Sequence, residues 1–333
     1  MIKKILLNPW TALLTLFLLV GLKISNPTFI ESIKLRYFDT LITSKPISEN
    51  NIYTVNIDEE TLNKYGQWPF KRDKYAEIIE TLYKHNAGLV VFNVLMPEPD
   101  SHGGDKAFSK FLETTPVILP NIPSDISKNT PKVPGSAVLG PEYLDKIIQY
   151  PGMIANIPEL ENIAVGVGTV NTLPEIDGVN RRIPLIVNVN DKLFPSLSIE
   201  TLRVASGDST FQVKLNEFGV EKMRIPAFGP ITTDNLGRIW IDWSQSSKSV
   251  SLSNIPDDLG GSIVIVGPTA AGIGNPVATS KGSVFPHELQ ATVIATMFNK
   301  IVIQRPDYAD GAEILITIIL SILLIFFAIF KRT

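Results

Sequence analysis

Arg72, with Asp58, Asn93 and Glu98 near it in the chain, is the first set of residues whose types and spacing could do chemistry. Arg72 stands just before a helical segment, where the macrodipole disfavours a cation. That placement calls for a carboxylate partner, and Asp58 and Glu98 are the candidates. A guanidinium among acceptors either pins a loop as a structural ion pair or offers a charged contact to a ligand. The ion pair is the plainer reading.

Other reactive patterns are weaker. The chain has three histidines and no cysteine, so disulfides, thiol nucleophiles and Cys-ligated zinc are excluded. His287-Glu288 suggests acid–base work, but neither His85 nor His102 is placed to complete a triad. Ser283 lies in no G-x-S-x-G elbow and no H-E-x-x-H occurs. His287 reads as a residue near a helix N-terminus. Residues 267–274 are glycine-rich after a strand. They lack the Lys-Ser/Thr pair and the helix start of a phosphate loop, and so read as a tight turn. The loop 97–105 carries acidic residues and His102 without calcium-loop spacing. No metal and no cofactor is expected.

Position depends on the elements around these residues. Residues 52–57 are β-rich and end on Asp58. In the segment 73–86, Tyr75, Ile78, Ile79 and Leu82 recur at helical spacing, and Asn86 with Gly88 supplies a stop. Residues 89–95 form an apolar run containing Asn93, suited to a strand covered on both faces. Strand, helix and strand at this spacing predict a βαβ unit with parallel strands and a right-handed crossover. Its usable crevice would lie at the carboxyl ends of the strands, near Asp58, Asn93 and Glu98.

Further along, the pattern predicts a helix around Phe108 and Leu112, a strand at 117–119, and an irregular stretch over 120–151. Strands follow at 163–170 and 183–189, then a helix over 195–205 and a meander over 212–242. A buried strand at 262–266 and a helix at 288–298 complete the series. The fold class is α/β: a mixed, partly parallel sheet with flanking helices, between an N-terminal and a C-terminal transmembrane helix.

The two ends decide the compartment. Residues 5–24 and 313–330 are predominantly apolar, and about 20 apolar residues cross a bilayer, with ~17 the lower limit. Lys3 and Lys4 precede the first segment, and Lys331 and Arg332 follow the second. The positive-inside rule then puts both termini in the cytoplasm and the domain 25–310 outside it. A cleaved signal peptide is the alternative for the first segment, but no small-x-small cleavage site follows Leu22. From Ile30, Ile33, Tyr37 and Leu41 a short amphipathic helix leads out of the membrane. A net charge of −3 gives no reason to expect nucleic acid.

Several blocks in order resemble a known family. They are Arg36-Tyr37-Phe38-Asp39, Ile57-Asp58-Glu59, Gly66-Gln67-Trp68-Pro69-Phe70-Lys71-Arg72 and Phe92-Asn93-Val94-Leu95 with Pro97-Glu98-Pro99-Asp100. Asp177-Gly178-Val179-Asn180-Arg181, residues 263–270 and Arg305-Pro306 continue the series. Together they are similar to the CHASE2 domain, the extracytoplasmic sensory module of bacterial signalling proteins. Two blocks depart from the family: Asn93 stands where an aspartate is usual, and residues 285–291 replace the usual G-v-x-x-H-A block. The resemblance implies ligand-contacting roles for Asp58, Arg72, Asn93, Asp177 and Arg181.

It also implies a sensor in the bacterial inner membrane that answers an unknown small ligand or an envelope protein. Family members usually continue into a cytoplasmic output. This chain stops three residues after its second span, so the expected output is a separate signalling partner, a kinase or cyclase, or a homo-oligomer. An envelope scaffold that senses nothing is the second reading, and an envelope hydrolase the third. Thr317 and Ser321, four apart, would give a small-residue face to another helix.

Overall fold

The computed structural model describes residues 9–43, 47–304 and 308–330. It forms two compact units, one of Met1–Thr40 with Gln304–Thr333 and one of Leu41–Ile303. Lys3, Lys4, Lys331, Arg332 and the Arg305-Pro306 exit lie outside the described residues, as does the start of the first apolar segment.

In the larger unit, six parallel strands run side by side: Gln245–Ser251, Ser48–Ile57, Ile263–Pro268, Leu89–Phe92, Val117–Ser124 and Gly166–Thr169. A seventh, Gly152–Ile154, pairs antiparallel to the far end of Val117–Ser124. The sheet is therefore mixed and mostly parallel, as expected. The two strands of the predicted βαβ unit are parallel but not neighbours. Ile263–Pro268 lies between them, with Val266 in register with both Val55 and Phe92.

The helix Arg72–Lys84 buries the expected stripe of Tyr75, Ile78, Ile79 and Leu82. These pack with Val90, Phe92, Val264, Val266, Phe108 and Leu112 in the main core on one sheet face. Burying each such side chain is worth about 1.5–3 kcal/mol. On the other face lie the helices Leu197–Ala205 and Pro286–Phe298. Gly168 allows the first to close on the sheet, because a Cβ there would sit 2.5 Å from the Leu197 Cα.

The rest corrects the expectation in three places. The stretch 120–151 is not wholly irregular: the third strand runs on to Ser124, and Ser136–Leu139 pairs parallel with Phe211–Asn216. The run 183–189 is two strands, Arg182–Pro184 and Ile186–Val189, in different sheets. Gln245–Ser251, too polar to be read as a strand, forms one edge of the main sheet.

In the smaller unit the helices Pro9–Ser25 and Ala309–Phe330 pack together. Lys23 pairs with Glu313 and, at 3.6 Å, with Asp310. Among the described residues, Ala309–Phe327 is the one helix long and apolar enough to cross a membrane, with mean hydropathy 2.3. Trp10–Ser25 meets that measure only together with Thr28–Thr43, from which it is bent by 75°. Thr317 donates its hydroxyl to the Glu313 carbonyl of its own helix.

Candidate functional site

A cleft of ≈ 880 Å³ lies between two segments, one around Tyr65 to Tyr75 and the other the stretch Val94 to His102 that follows the Leu89 strand. One wall runs from Tyr65, the last residue of the helix Glu59–Tyr65, through Gln67 to Tyr75 in the first turn of the next helix, with a cis peptide at Trp68-Pro69. The other is the segment Val94 to His102. Aromatic rings form its base. Trp68 meets Phe70 edge-on at 5.3 Å and Tyr75 at 6.0 Å, and Tyr65 lies 6.0 Å from Phe70. Burial pushes the Tyr75 hydroxyl up to about 12, so it stays protonated at any physiological pH.

Arg72 ties the two walls together. Its carboxylate partner is Asp105, reached from Nε at 2.9 Å, rather than Asp58 or Glu98. Nη2 donates to the Glu98 backbone carbonyl at 2.9 Å, while the Glu98 carboxylate pairs with Lys128. Asp105 also accepts from the Asp100 amide, and Asp100 accepts from the amides of Arg72, His102 and Gly104. Burial works to raise the Asp100 carboxyl. The backbone donors of His102, Arg72 and Gly104 and the Arg72 charge outweigh it and hold the group below the ordinary carboxylate range. Asp100, Asp105 and His102 were legible only as an acidic loop, because their partner lies about thirty residues upstream.

The other expected site residues stand apart from this cleft. Asp58 caps the helix Glu59–Tyr65, accepting from the Thr61 amide at 2.9 Å and its hydroxyl at 2.8 Å. Burial raises its carboxyl, but bonds from Thr61 and Ser251 bring it below the usual value. Asn93 follows the Leu89 strand, half-buried, and its amide donates to Val266 at 2.9 Å. Asp177 and Arg181 meet each other through two bonds of 2.8 Å, fork to fork. The Arg181 guanidinium, with burial opposing it, holds the Asp177 carboxyl low.

One buried group stands at a helix N-terminus, as the sequence predicts, with contacts that the sequence does not show. His287, in the first turn of Pro286–Phe298, is fully buried and meets Asn56 Oδ1 through Nε2 at 2.8 Å. Asn56 in turn donates to Ser249 at 2.9 Å. The ring lies over Gly267, where a Cβ would come within 2.3 Å of Nδ1. Gly267→Ala is therefore expected to destabilise the domain by about 1–3 kcal/mol through overpacking. A lowered thermal midpoint would check this, and an unchanged one would show that the helix yields freely.

A family model, the CHASE2 domain, matches residues 11–327, nearly the whole chain. The chain belongs to the CHASE2 family. Its members are extracytoplasmic sensory domains. No curated protein and no solved structure matches. The structure gives the CHASE2 blocks physical content. The Gly66–Arg72 block builds the aromatic wall, the Pro97–Asp100 block receives Arg72, and the Asp177–Arg181 block closes on itself as a buried ion pair. The departing block at 285–291 begins the helix that carries His287, with Glu288 accepting from the Phe285 amide at 3.2 Å.

Proposed function

We propose that this CHASE2 chain is a membrane-anchored sensor of the bacterial cell membrane, its main domain periplasmic or extracellular, held by the helices Pro9–Ser25 and Ala309–Phe330. A small ligand or an envelope protein would occupy the cleft between Trp68–Arg72 and Val94–His102. The observation that carries the reading is Arg72, one buried cation bonded across both walls of an aromatic-floored cleft. An occupant that displaced the Pro97–Asp105 loop would have to rearrange this network. Such coupling is the kind of two-state element a sensor requires. The change would pass to a signalling partner such as a kinase or cyclase, or to a second copy. On this reading the role is one of binding, and the use of Asp58 as a helix cap and of Asp100 and Asp105 as loop ties supports it.

A scaffold that holds an envelope partner and senses nothing is the second reading. The closed hydrogen bonding of Arg72 favours it, because a network that satisfies itself can be purely structural. Thermal shifts of the full chain in micelles against a panel of metabolites separate the two. A true ligand at about a hundred-fold excess over its Kd adds about 2.7 kcal/mol. Trp68→Ala should abolish that shift while leaving the fold intact. If no metabolite moves the transition and Arg72→Ala does no more than lower it, the scaffold reading stands.

A further inference from the structure

The helix Thr28–Thr43 has two apolar faces. Leu35 and Ile42 are buried on one. On the other, Phe29, Ile33, Tyr37 and Leu41 are 72%, 51%, 67% and 53% exposed. A helix advances about 100° per residue, so a strict four-residue spacing sweeps these side chains across an arc of ~120°. Arg36 and Lys34 fall on the two borders of that arc, and Glu31 and Asp39 fall outside it. Lys34 reaches Glu31 at 3.3 Å and Asn26 at 3.0 Å. An exposed apolar stripe of this kind marks a surface that meets another protein or a membrane.

We propose that this face lies in the lipid headgroup region and holds the helix flat on the outer surface of the membrane. The inference rests on the reading of Pro9–Ser25 as a membrane span. Trp10–Ser25 and Thr28–Thr43 meet at 75°, so if the first crosses the bilayer the second runs nearly along its surface. The first helix is itself exposed and apolar at Leu14, Phe17 and Leu18, so both helices present apolar side chains outward. Border cations above an apolar arc suit acidic headgroups, and a tyrosine in the arc suits the interface. A second copy fits less well. A coiled-coil seam repeats every 3.5 residues, whereas this stripe repeats every four and winds around the helix.

The chain lacks cysteine, so single cysteines for nitroxide labelling can be placed in the full-length protein without other changes. Labels at Phe17→Cys, Ser32→Cys, Ile33→Cys and Tyr37→Cys are compared in vesicles of phosphatidylcholine and phosphatidylglycerol. At 33 and 37 oxygen collisions should exceed those of a water-soluble nickel chelate several-fold, at shallower depth than at 17, and at 32 the order should reverse. Nickel access at 33 and 37 with 17 still oxygen-rich would overturn the interfacial placement and leave the span standing. Shielding from both reagents with spin–spin broadening would assign the face to a second copy. Nickel access at 17 would remove the span and this inference with it.

Discussion

Replacing Arg181 by alanine is expected to cost the domain about 3–5 kcal/mol, because it leaves an uncompensated buried carboxylate. The Arg181 side chain is 1% exposed and that of Asp177 is 6% exposed, and they share two bonds of 2.8 Å. In water each would be solvated, whereas here the Arg181 guanidinium is the main group holding the Asp177 charge, helped by the Val179 amide. The loss should show as a lower denaturant midpoint of the full chain in micelles, with m unchanged. Asp177→Asn in the Arg181→Ala background should recover part of it, since the orphaned charge is then gone. A pair of independent, additive losses would mean that the two side chains do not act as a unit.

The same pair has a pH signature. Asp177 is held below its unfolded value, so its contribution is present above that value and lost as pH falls through the folded one. Arg181→Ala should therefore lose less stability on strong acidification than the native chain. A binding role for Arg181 predicts something different: ligand-induced shifts would vanish in Arg181→Ala even where the fold persists.

Acid should also act through His287, over a higher pH range. Burial lowers its pKa from 6.5 to about 3. Nε2 donates to Asn56 Oδ1, whose amide orientation is set by the bond from Nδ2 to Ser249. Nδ1 has no partner among the described residues, so a second ring proton would enter a buried place without an acceptor. Below pH 6.5 the unfolded chain binds that proton and the folded chain refuses it until about pH 3. Stability should thus fall with pH across this window, by about 1.4 kcal/mol per unit from this residue. Unfolding titrations of the native chain and His287→Gln should separate progressively below pH 6.5, the variant having the flatter slope. Parallel slopes between pH 6.5 and 4 would mean that the ring finds a proton acceptor or water on ionising.

Much of the fold was legible where the cause is local. The Tyr75, Ile78, Ile79 and Leu82 stripe follows from side chains a few residues apart, whereas Asp58, read as a partner for Arg72, instead caps the helix Glu59–Tyr65, which the sequence reading did not contain. The strand 263–268 was legible too, as a short apolar run, but its place between the first two strands was not. Nothing in residues 48–92 records that a segment about 170 residues later inserts there. The strand Gln245–Ser251 was missed because it carries serines at alternate positions, and an edge strand needs few apolar groups.

The candidate site divides the same way. Arg72 before its helix signalled a carboxylate partner, since an unpaired cation is unfavourable at a helix start. Which carboxylate answers was settled by the path of the Pro97–Asp105 loop. Asp177 and Arg181, four residues apart, were close enough in the chain to meet, yet their enclosure depends on elements distant in sequence. Helical periodicity, caps and apolar length act over a dozen residues and are written into this chain. Strand order, burial of a charge and the partner of a guanidinium arise from contacts between remote segments, whose energies exist only once the chain has closed upon itself.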